Sequence, residues 1–384
     1  MLIGLTNEPR DYSWGSETLI PALAGRSPSG RPEAEIWYGD HPGCPARVAD
    51  GSGRTLDEVL ADRGEHPLPY LMKLLAAGSS LSIQAHPSLA EAAAGFAREN
   101  AAGIPVDAPE RTYRDANHKP EIIVAVSDVF RALVGVRPLE DTRRLLAALG
   151  DGPGVASLSA HLFGPGADAD RVRHTLEWAL SGRSQAEIDD LVVALRGASS
   201  AEFAAELAVL RAVADDFPGD PGIVVALLMN LVELRRGEAL FAPAGVLHAY
   251  QDGLGVELMA ASDNVLRGGL TPKHVDVPEL MRIVDTTPGP APLVVPTTVD
   301  GAEIFDVGIP DFALIHATVR SGQVQPIALA GPAIVLVTRG EVTVTAAGAA
   351  VTLRPAEAAY LTADEDSVEL TGTGEVFLAQ PGRS

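Results

Sequence analysis

The chain contains few of the residues that stabilise secreted proteins or bind nucleic acids. Cys44 is the only cysteine among 384 residues, so no internal disulfide can form and a cytoplasmic location is expected. Basic residues are scarce, since 29 Lys and Arg stand against 51 Asp and Glu, for a formal net charge of -22. This charge disfavours binding to nucleic acids or to membranes, and an anionic substrate would require local positive charge in its site.

Long apolar runs are also missing from the sequence. The longest one lies near residues 223–232, is interrupted by Asn230 and is too short to cross a bilayer. Met1–Arg10 contains no basic flank followed by an apolar stretch, so we expect no secretory signal. The length of 384 residues and the hydrophobic content of 46% are ordinary for a globular protein of two or three domains.

The local patterns along the chain predict a mainly β fold with an α-helical insert. Residues 1–137 combine short β-type runs with Gly and Pro turns, whereas residues 138–220 have apolar residues at helical spacing. After a short helix at about 223–230, β-type runs return over 221–290, and the stretch 291–384 has short apolar runs at hairpin spacing. We therefore expect one β domain split by a helical domain, followed by a C-terminal β-barrel without metal.

Two helix starts and one series of hairpins can be predicted in more detail. Ser88 with Glu91, and Ser184 with Glu187, have the spacing of a capping box at the first turn of a helix. In the C-terminal part, turns at 339–341 and 347–348 should separate three successive strands.

Four side chains have the chemistry of a metal site. Gln84 and His86 stand two apart in an apolar run, so in a strand they point to one face. Glu121 precedes a buried β-type run, and His248 follows a Pro-Ala-Gly turn. An amide oxygen, two imidazoles and a carboxylate suit zinc or a similar divalent ion. Taken singly, each residue is also compatible with an ordinary structural role.

A polar segment follows at residues 256–273, which carries acid, amide, hydroxyl and cationic groups between apolar flanks. One interpretation is structural charge pairing, for example between Asp263 and Arg267. The other is a pocket wall whose cations bind a phosphate or an oxyanion. Five other histidines are expected to be structural or to lie at the surface: His41, His66, His161, His174 and His316.

Six short motifs, in this order along nearly the whole chain, resemble type I mannose-6-phosphate isomerases. They are DYSWG at 11–15, AEIW at 34–37, QAHP at 84–87, NHKPE at 117–121, PAGVLHAY at 243–250 and SDNVLRGGLTPK at 262–273. The resemblance implies cupin-type jelly-roll barrels plus a helical domain. It also implies one zinc ion per chain, held by Gln84, His86, Glu121 and His248.

The activity that the resemblance implies is the interconversion of mannose 6-phosphate and fructose 6-phosphate through a cis-enediol intermediate. Arg267 would lie beside the reacting carbons, and Glu257 is the first candidate for the base, with Lys119 or a zinc-bound water as alternatives. The substrate-binding side chains would be Ser82, Lys73, Asp263 and Lys273. We expect a monomer whose partner is a phosphosugar, acting in glycolysis or in the supply of sugar nucleotides such as GDP-mannose.

The chain departs from the family pattern at two places. Ser88 and Leu89 follow the first motif where Asn or Asp and then Lys are frequent, so one positive charge at the pocket rim is missing. Val246 and Leu247 precede His248 where Glu-Pro or a similar pair is frequent. Two other functions stay open from the residues: a non-haem iron oxygenase that uses two histidines and a carboxylate, and a non-catalytic sugar-binding protein.

Overall fold

Two antiparallel sheets of ten strands each organise residues 1–382, the part of the chain that the computed structural model describes. The strands are β1 (Leu2–Thr6), β2 (Glu35–Tyr38), β3 (Arg47–Val48), β4 (Tyr70–Ala77), β5 (Gln84–Ala85), β6 (Glu121–Ala125), β7 (Val129–Val136), β8 (Met229–Arg235), β9 (Ala239–Ala242), β10 (His248–Ala260), β11 (Leu266–Arg267), β12 (Leu293–Val294), β13 (Thr297–Val299), β14 (Ala302–Phe305), β15 (Ala313–Val319), β16 (Gln325–Ala328), β17 (Ala333–Ala346), β18 (Ala349–Leu353), β19 (Ala358–Leu361) and β20 (Ser367–Gln380).

The helices lie mainly between the strands of the first sheet. They are α1 (Leu19–Leu23), α2 (Leu56–Arg63), α3 (Leu89–Ala101), α4 (Leu139–Leu149), α5 (Pro153–Leu162), α6 (Asp168–Leu180), α7 (Gln185–Gly197), α8 (Ala204–Asp216), α9 (Gly222–Leu228) and α10 (Val277–Ile283). No helix within residues 1–382 is long and apolar enough to span a lipid bilayer. The mainly β fold with inserted helices agrees with the sequence patterns.

The first sheet is organised around β10, which pairs with β4, β5, β6 and β7. The first residues of β10 pair with β5 and β7, and residues 253–260 pair with β4 and β6, so this strand bends from one group of neighbours to the other. The bend coincides with a register shift between Tyr250 and Asp252 and with Gly253, whose φ is 121°. Only glycine adopts this conformation readily, and a Cβ there would lie 2.8 Å from Phe130.

The helical insert comprises α4–α8, where the sequence predicted it. The start of α3 also agrees, because the Ser88 hydroxyl accepts the Glu91 N–H and the Glu91 carboxylate accepts the Ser88 N–H at 2.9 Å. The capping box at Ser184 is wrong: its hydroxyl is buried and instead donates to the carbonyls of Trp178 and Ala179. Because the Ser184 hydroxyl is bound to carbonyls at the end of α6, it does not cap α7.

The second sheet is built on β17 and β20, two strands of 14 residues that pair along much of their length. The predicted turn at 347–348 is present, but the one at 339–341 is wrong, since β17 continues through it. Gly340, with a φ of 75°, and a register shift between Val337 and Arg339 bend the strand without ending it. A turn and a bulge both favour a residue with positive φ, so a glycine at this position is compatible with either.

The two sheets do not follow the predicted division into domains, because each contains a strand from the other part of the sequence. The strand β1 pairs with β19 of the second sheet, although residues 1–137 were assigned to the first β domain. Conversely, β12 pairs with β9 of the first sheet, although it follows the expected boundary at 291. One apolar core joins the sheets, with Leu74 of β4 and Leu336 of β17 fully buried in it. The strand β3 also lies in the second sheet, paired with β1. The division into domains stays a prediction, with these three exchanged strands added.

Candidate active site

Three predicted metal ligands meet at one point of the first sheet. His86 Nε2 lies 3.3 Å from Glu121 Oε1, and His248 Nε2 lies 3.3 Å from Glu121 Oε2. Their candidate ligand atoms all lie within 4.8 Å of one another, and all three residues are buried. Two imidazole nitrogens and a carboxylate, each aimed at a common centre, form a donor set suited to a divalent transition metal.

The sheet register brings the fourth candidate, Gln84, to the same place. Gln84 on β5 pairs with His248 on β10 at one side and with Arg267 on β11 at the other. The Gln84 side-chain amide donates to the Ser82 hydroxyl at 3.2 Å, which leaves its carbonyl oxygen free to accept. The two-residue strand β5 therefore places Gln84 between His248 of the metal-binding group and Arg267 in the sheet.

Hydrogen bonds on the far side of each imidazole orient the two histidines. His86 Nδ1 lies 2.8 Å from the Asn264 carbonyl oxygen, and His248 Nδ1 lies 3.1 Å from the Val246 carbonyl oxygen. Because a carbonyl only accepts, each Nδ1 carries the proton and each Nε2 presents a lone pair. Burial lowers the pKa of His86 to about 4, so this ring is neutral. Its Nε2 is buried without a hydrogen-bond partner among residues 1–382.

The carboxylate of Glu121 stays charged in this buried place. Burial alone would raise its pKa, but Lys119, with Nζ at 3.0 Å from Oε1, and the two histidines hold the pKa of Glu121 well below its usual range. Lys119 is itself almost completely buried. The site therefore keeps the carboxylate charge of Glu121 next to the imidazoles, and an ionised carboxylate is the form that binds a metal cation.

A cavity of about 1090 Å³ adjoins this group, and ten of the eleven predicted site residues line it. They are Lys73, Ser82, Gln84, Lys119, Glu121, His248, Glu257, Asp263, Arg267 and Lys273. His86 is the exception, because it is fully buried behind the cavity wall. The structure thus gathers residues that are up to 200 positions apart in the chain, from Lys73 to Lys273, around one space.

The bend in β10 explains how one strand supplies so much of this wall. Side chains alternate between the faces of a strand, so even-numbered and odd-numbered residues normally point apart. His248 and Tyr250 precede the register shift, Glu257 and Met259 follow it, and all four line the cavity. The bulge reverses the alternation, and a regular strand would direct Glu257 away from the metal-binding group.

One side of the cavity carries cations without carboxylate partners. Arg267, Lys273 and Arg114 line it, and their side chains form no ion pair within residues 1–382. Burial, together with the charge of Arg114, lowers the pKa values of both Arg267 and Lys273. Arg267 is half-buried, whereas Lys273 and Arg114 are exposed. In a chain of this net charge, unpaired cations beside a cavity are the groups that an anionic ligand would require. Sequence reasoning missed Arg114, whose local pattern is that of an ordinary surface arginine.

Lys73, which also lines the cavity, is by contrast already paired with carboxylates. Its Nζ lies 2.8 Å from Glu257 Oε2 and 3.8 Å from Glu35 Oε1, and it faces the ring of Trp37 at 5.3 Å. Burial alone would lower the pKa of Lys73, but the two carboxylates raise it. Burial raises the pKa of Glu257. In the sequence, Glu35 was noted only as part of the AEIW motif. Its proximity to Lys73 comes from the pairing of β2 with β4.

Asp263 stands at the rim of the cavity and is held by a histidine that was expected to be structural. His41 Nε2 lies 3.2 Å from Asp263 Oδ1, and His41 Nδ1 accepts the Gly43 N–H at 3.1 Å. The hydrogen bond from His41 lowers the pKa of Asp263. The contact joins residues 222 positions apart, so no local signal could have predicted it.

Comparison with known proteins places this arrangement among relatives of similar length. A family model described as phosphomannose isomerase type I, catalytic domain, matches residues 2–139. The mannose-6-phosphate isomerase of Salmonella typhimurium is 37% identical, with 97% of each chain covered. A crystal structure of a mutant phosphomannose isomerase from the same organism gives a TM-score of 0.90 at 32% identity. A zinc-bound mannose 6-phosphate isomerase structure gives 0.87 at 34%, and both comparisons cover 100% of each chain.

Proposed function

The chain belongs to the type I mannose-6-phosphate isomerase family, and on this premise we propose that it interconverts mannose 6-phosphate and fructose 6-phosphate through a cis-enediol. The observation that carries the proposal is the cavity that joins the His86–Glu121–His248 group to the unpaired cations Arg267 and Lys273. A metal-binding group and unpaired cations that line one cavity fit a sugar phosphate, whose sugar oxygens suit the metal and whose phosphate suits the cations.

The proposed metal is one zinc ion per chain, held by Gln84, His86, Glu121 and His248. The fit rests on the donor set and on His86 Nε2, a buried nitrogen lone pair without a partner among the described residues. Such a group is costly unless something binds it. The bound ion would supply a Lewis acid that polarises a sugar oxygen. Among residues 1–382, no other cluster of three His, Cys, Asp or Glu side chains has this geometry.

The phosphate would be bound by the cations on the other side of the cavity. Lys273 provides an ammonium group, Ser82 a hydroxyl, and Arg267 stands between the phosphate and the reacting carbons. Binding the phosphate contributes remote binding energy that orients the sugar. The predicted phosphate contact of Lys73 stays a prediction, because its ammonium is paired with Glu257 and Glu35.

Isomerisation requires one base that removes the proton from C2 of the open-chain aldose and returns it to C1. We assign this role to Glu257, because burial raises the pKa of its carboxyl while Lys73 opposes the rise, and a base acts best when its pKa lies near the working pH. Arg267 remains protonated and stabilises the negative charge that develops on the enediol oxygens. Asp263 would contact the sugar from the rim. Lys119 is the second candidate for the base, although its Nζ contacts Glu121.

The architecture fits two cupin-type jelly rolls, of which the first carries the metal and the second braces it. We further propose that the protein acts as a monomer in the cytoplasm. Size-exclusion chromatography with light scattering tests the oligomeric state, and a dimer would contradict it.

The function is tested by a coupled assay of mannose 6-phosphate conversion on zinc-loaded protein, repeated in the absence of oxygen. Turnover of about 1–1000 per second, the usual range of enzymes, that is lost with a chelator and restored by zinc would support the proposal. An oxygen requirement would favour the iron oxygenase instead, and zinc and sugar binding without turnover would favour a binding protein. Glu257→Gln compared with Lys119→Met then tests the base by exchange of the C2 proton with solvent.

A further inference from the structure

Asn264 is a fully buried amide between the pocket residue Asp263 and the strand that carries Arg267. Its side-chain oxygen accepts the Arg114 N–H at 2.7 Å and the Asp115 N–H at 3.3 Å. Its Nδ2 donates to the Asp115 carbonyl at 2.9 Å and to the Asn117 carbonyl at 2.8 Å. An amide has two donors and two acceptor lone pairs, and this one uses them all on a single loop.

The same residue reaches the metal-binding group by two routes. Its backbone carbonyl oxygen lies 2.8 Å from His86 Nδ1 and so sets the orientation of that imidazole. The loop that its side chain holds, residues 114–117, leads within four residues into Glu121, the carboxylate of the group. The position of Asn264 therefore determines how both His86 and Glu121 face the metal position.

Asn264 is tied equally closely to the sugar-binding end. The carboxylate of Asp115 accepts the Asp263 N–H and the Ser262 hydroxyl, each at 2.8 Å. The Ser262 hydroxyl oxygen in turn accepts the Asn264 N–H at 3.2 Å. Asp263 lines the cavity, and Arg267 follows three residues after Asn264. One buried network thus holds the rim carboxylate and the approach to the cationic wall.

We propose that Asn264 is a positioning residue that couples zinc binding to sugar-phosphate binding. Restraint of His86 and Glu121 at one end orders the segment 262–267 at the other, and the converse follows because the coupling between two binding sites is reciprocal. The inference rests on the proposed function, since it takes the two ligands from there. The proposed role rests on the hydrogen bonds that this amide forms within the protein, and not on a contact with zinc or with the sugar phosphate.

The test compares Asn264→Ala and Asn264→Asp with a matched control, Asn230→Ala. Asn230 also joins two backbone segments, through hydrogen bonds of 3.1 Å to Val134 and Gly289, but it touches no ligand of the metal-binding group. The zinc dissociation constant of each protein is measured by competition with a chelator, with and without saturating mannitol 6-phosphate, a polyol that cannot isomerise. The ratio of the two constants is the coupling factor.

In both Asn264 variants, we expect zinc affinity to fall by about 10–100-fold, the usual effect of losing support behind a metal ligand. The coupling factor should fall below the native value, to the part that direct contact between zinc and the sugar supplies, and Asn230→Ala should retain the native value. Asn264→Asp should behave like Asn264→Ala. In the native protein Asn264 Nδ2 donates to two carbonyls, and the carboxylate oxygen that replaces it would have no proton to donate. A native coupling factor in a folded Asn264 variant would overturn the proposal, even if its melting temperature were lower.

Should neither Asn264 variant fold, Ser262→Ala takes their place. It removes the hydroxyl that links Asp115 and the Asn264 N–H but leaves the amide, so the coupling factor should fall partway. An unchanged factor in Ser262→Ala would then reject the inference. The proposed function is judged separately, by turnover of the native protein: turnover with native coupling in the variants rejects only the role of Asn264, and no turnover rejects the function.

Discussion

Lys73 and Glu257 form a buried ion pair across β4 and β10, with Nζ 2.8 Å from Oε2 and both side chains less than one-tenth exposed. Neighbouring strands place them directly opposite each other, and the pair forms part of the wall of the candidate active site. Removing one partner of a buried pair leaves an uncompensated charge, which is more damaging than replacing both.

Lys73→Met should therefore destabilise the protein by about 3–5 kcal/mol in urea unfolding. Lys73 opposes the effect of burial on Glu257, so its loss should raise the pKa of that carboxyl further. A base must be deprotonated to act, and the acid limb of kcat/KM should move to higher pH. The double variant Lys73→Met, Glu257→Leu should recover part of the stability, since Glu35 still loses its cation, but no activity. An unmoved acid limb in the single variant would contradict the role of Glu257 as the base.

Arg267→Ala should retain zinc but lose most of the turnover. Removing a donor that stabilises transition-state charge typically lowers kcat by about 10²–10³-fold. Zinc content by metal analysis and steady-state kinetics measure the two effects. Arg196→Ala, which removes an exposed ion pair with Asp215 in the helical insert, is the control and should behave like the native protein. Near-normal activity of Arg267→Ala would mean that the assigned role is wrong.

Tyr250→Phe should make the protein without substrate more stable. The Tyr250 hydroxyl is buried and has no hydrogen-bond partner among the described residues, so its removal relieves about 1 kcal/mol of desolvation cost. Tyr38→Phe is the matched control, because that buried hydroxyl donates to the Ala356 carbonyl at 2.6 Å. It should lower the free energy of unfolding by about 1 kcal/mol. Equal losses in the two variants, measured by urea unfolding, would show that Tyr250 has a partner.

His316 should make the stability of the second sheet depend on pH. Burial alone would lower its pKa, but hydrogen bonds to Glu375 and Glu303 raise it above the usual value. The resulting stabilisation is complete below the unfolded-state pKa of about 6.5, and it is lost as the pH rises through the folded-state pKa. His316→Gln should therefore reduce the fall in unfolding free energy between about pH 6 and pH 8. His66→Gln, at an exposed position, should not change it.

The capping boxes at Ser88 and Ser184 show how far local sequence carries a prediction. Both have a serine followed three residues later by glutamate, and only Ser88 forms the box. Ser184 is buried against the end of α6, where backbone carbonyls compete for its hydroxyl. The glycine at 340 is a similar case, since a turn and a strand bulge place the same demand on the backbone. Only the neighbouring strand decides between them.

Residue chemistry and spacing by themselves determined the mainly β texture, the helical insert and the candidate ligands Gln84, His86, Glu121 and His248, because these depend on side-chain type and local periodicity. Family resemblance added the reaction. Tertiary structure decided which charges are paired: Lys73 is neutralised by Glu257, whereas Arg267 and Lys273 line the cavity without a carboxylate partner among residues 1–382. Contacts of this kind depend on strand register and on the bulge in β10, and both arise from packing between segments far apart in the chain.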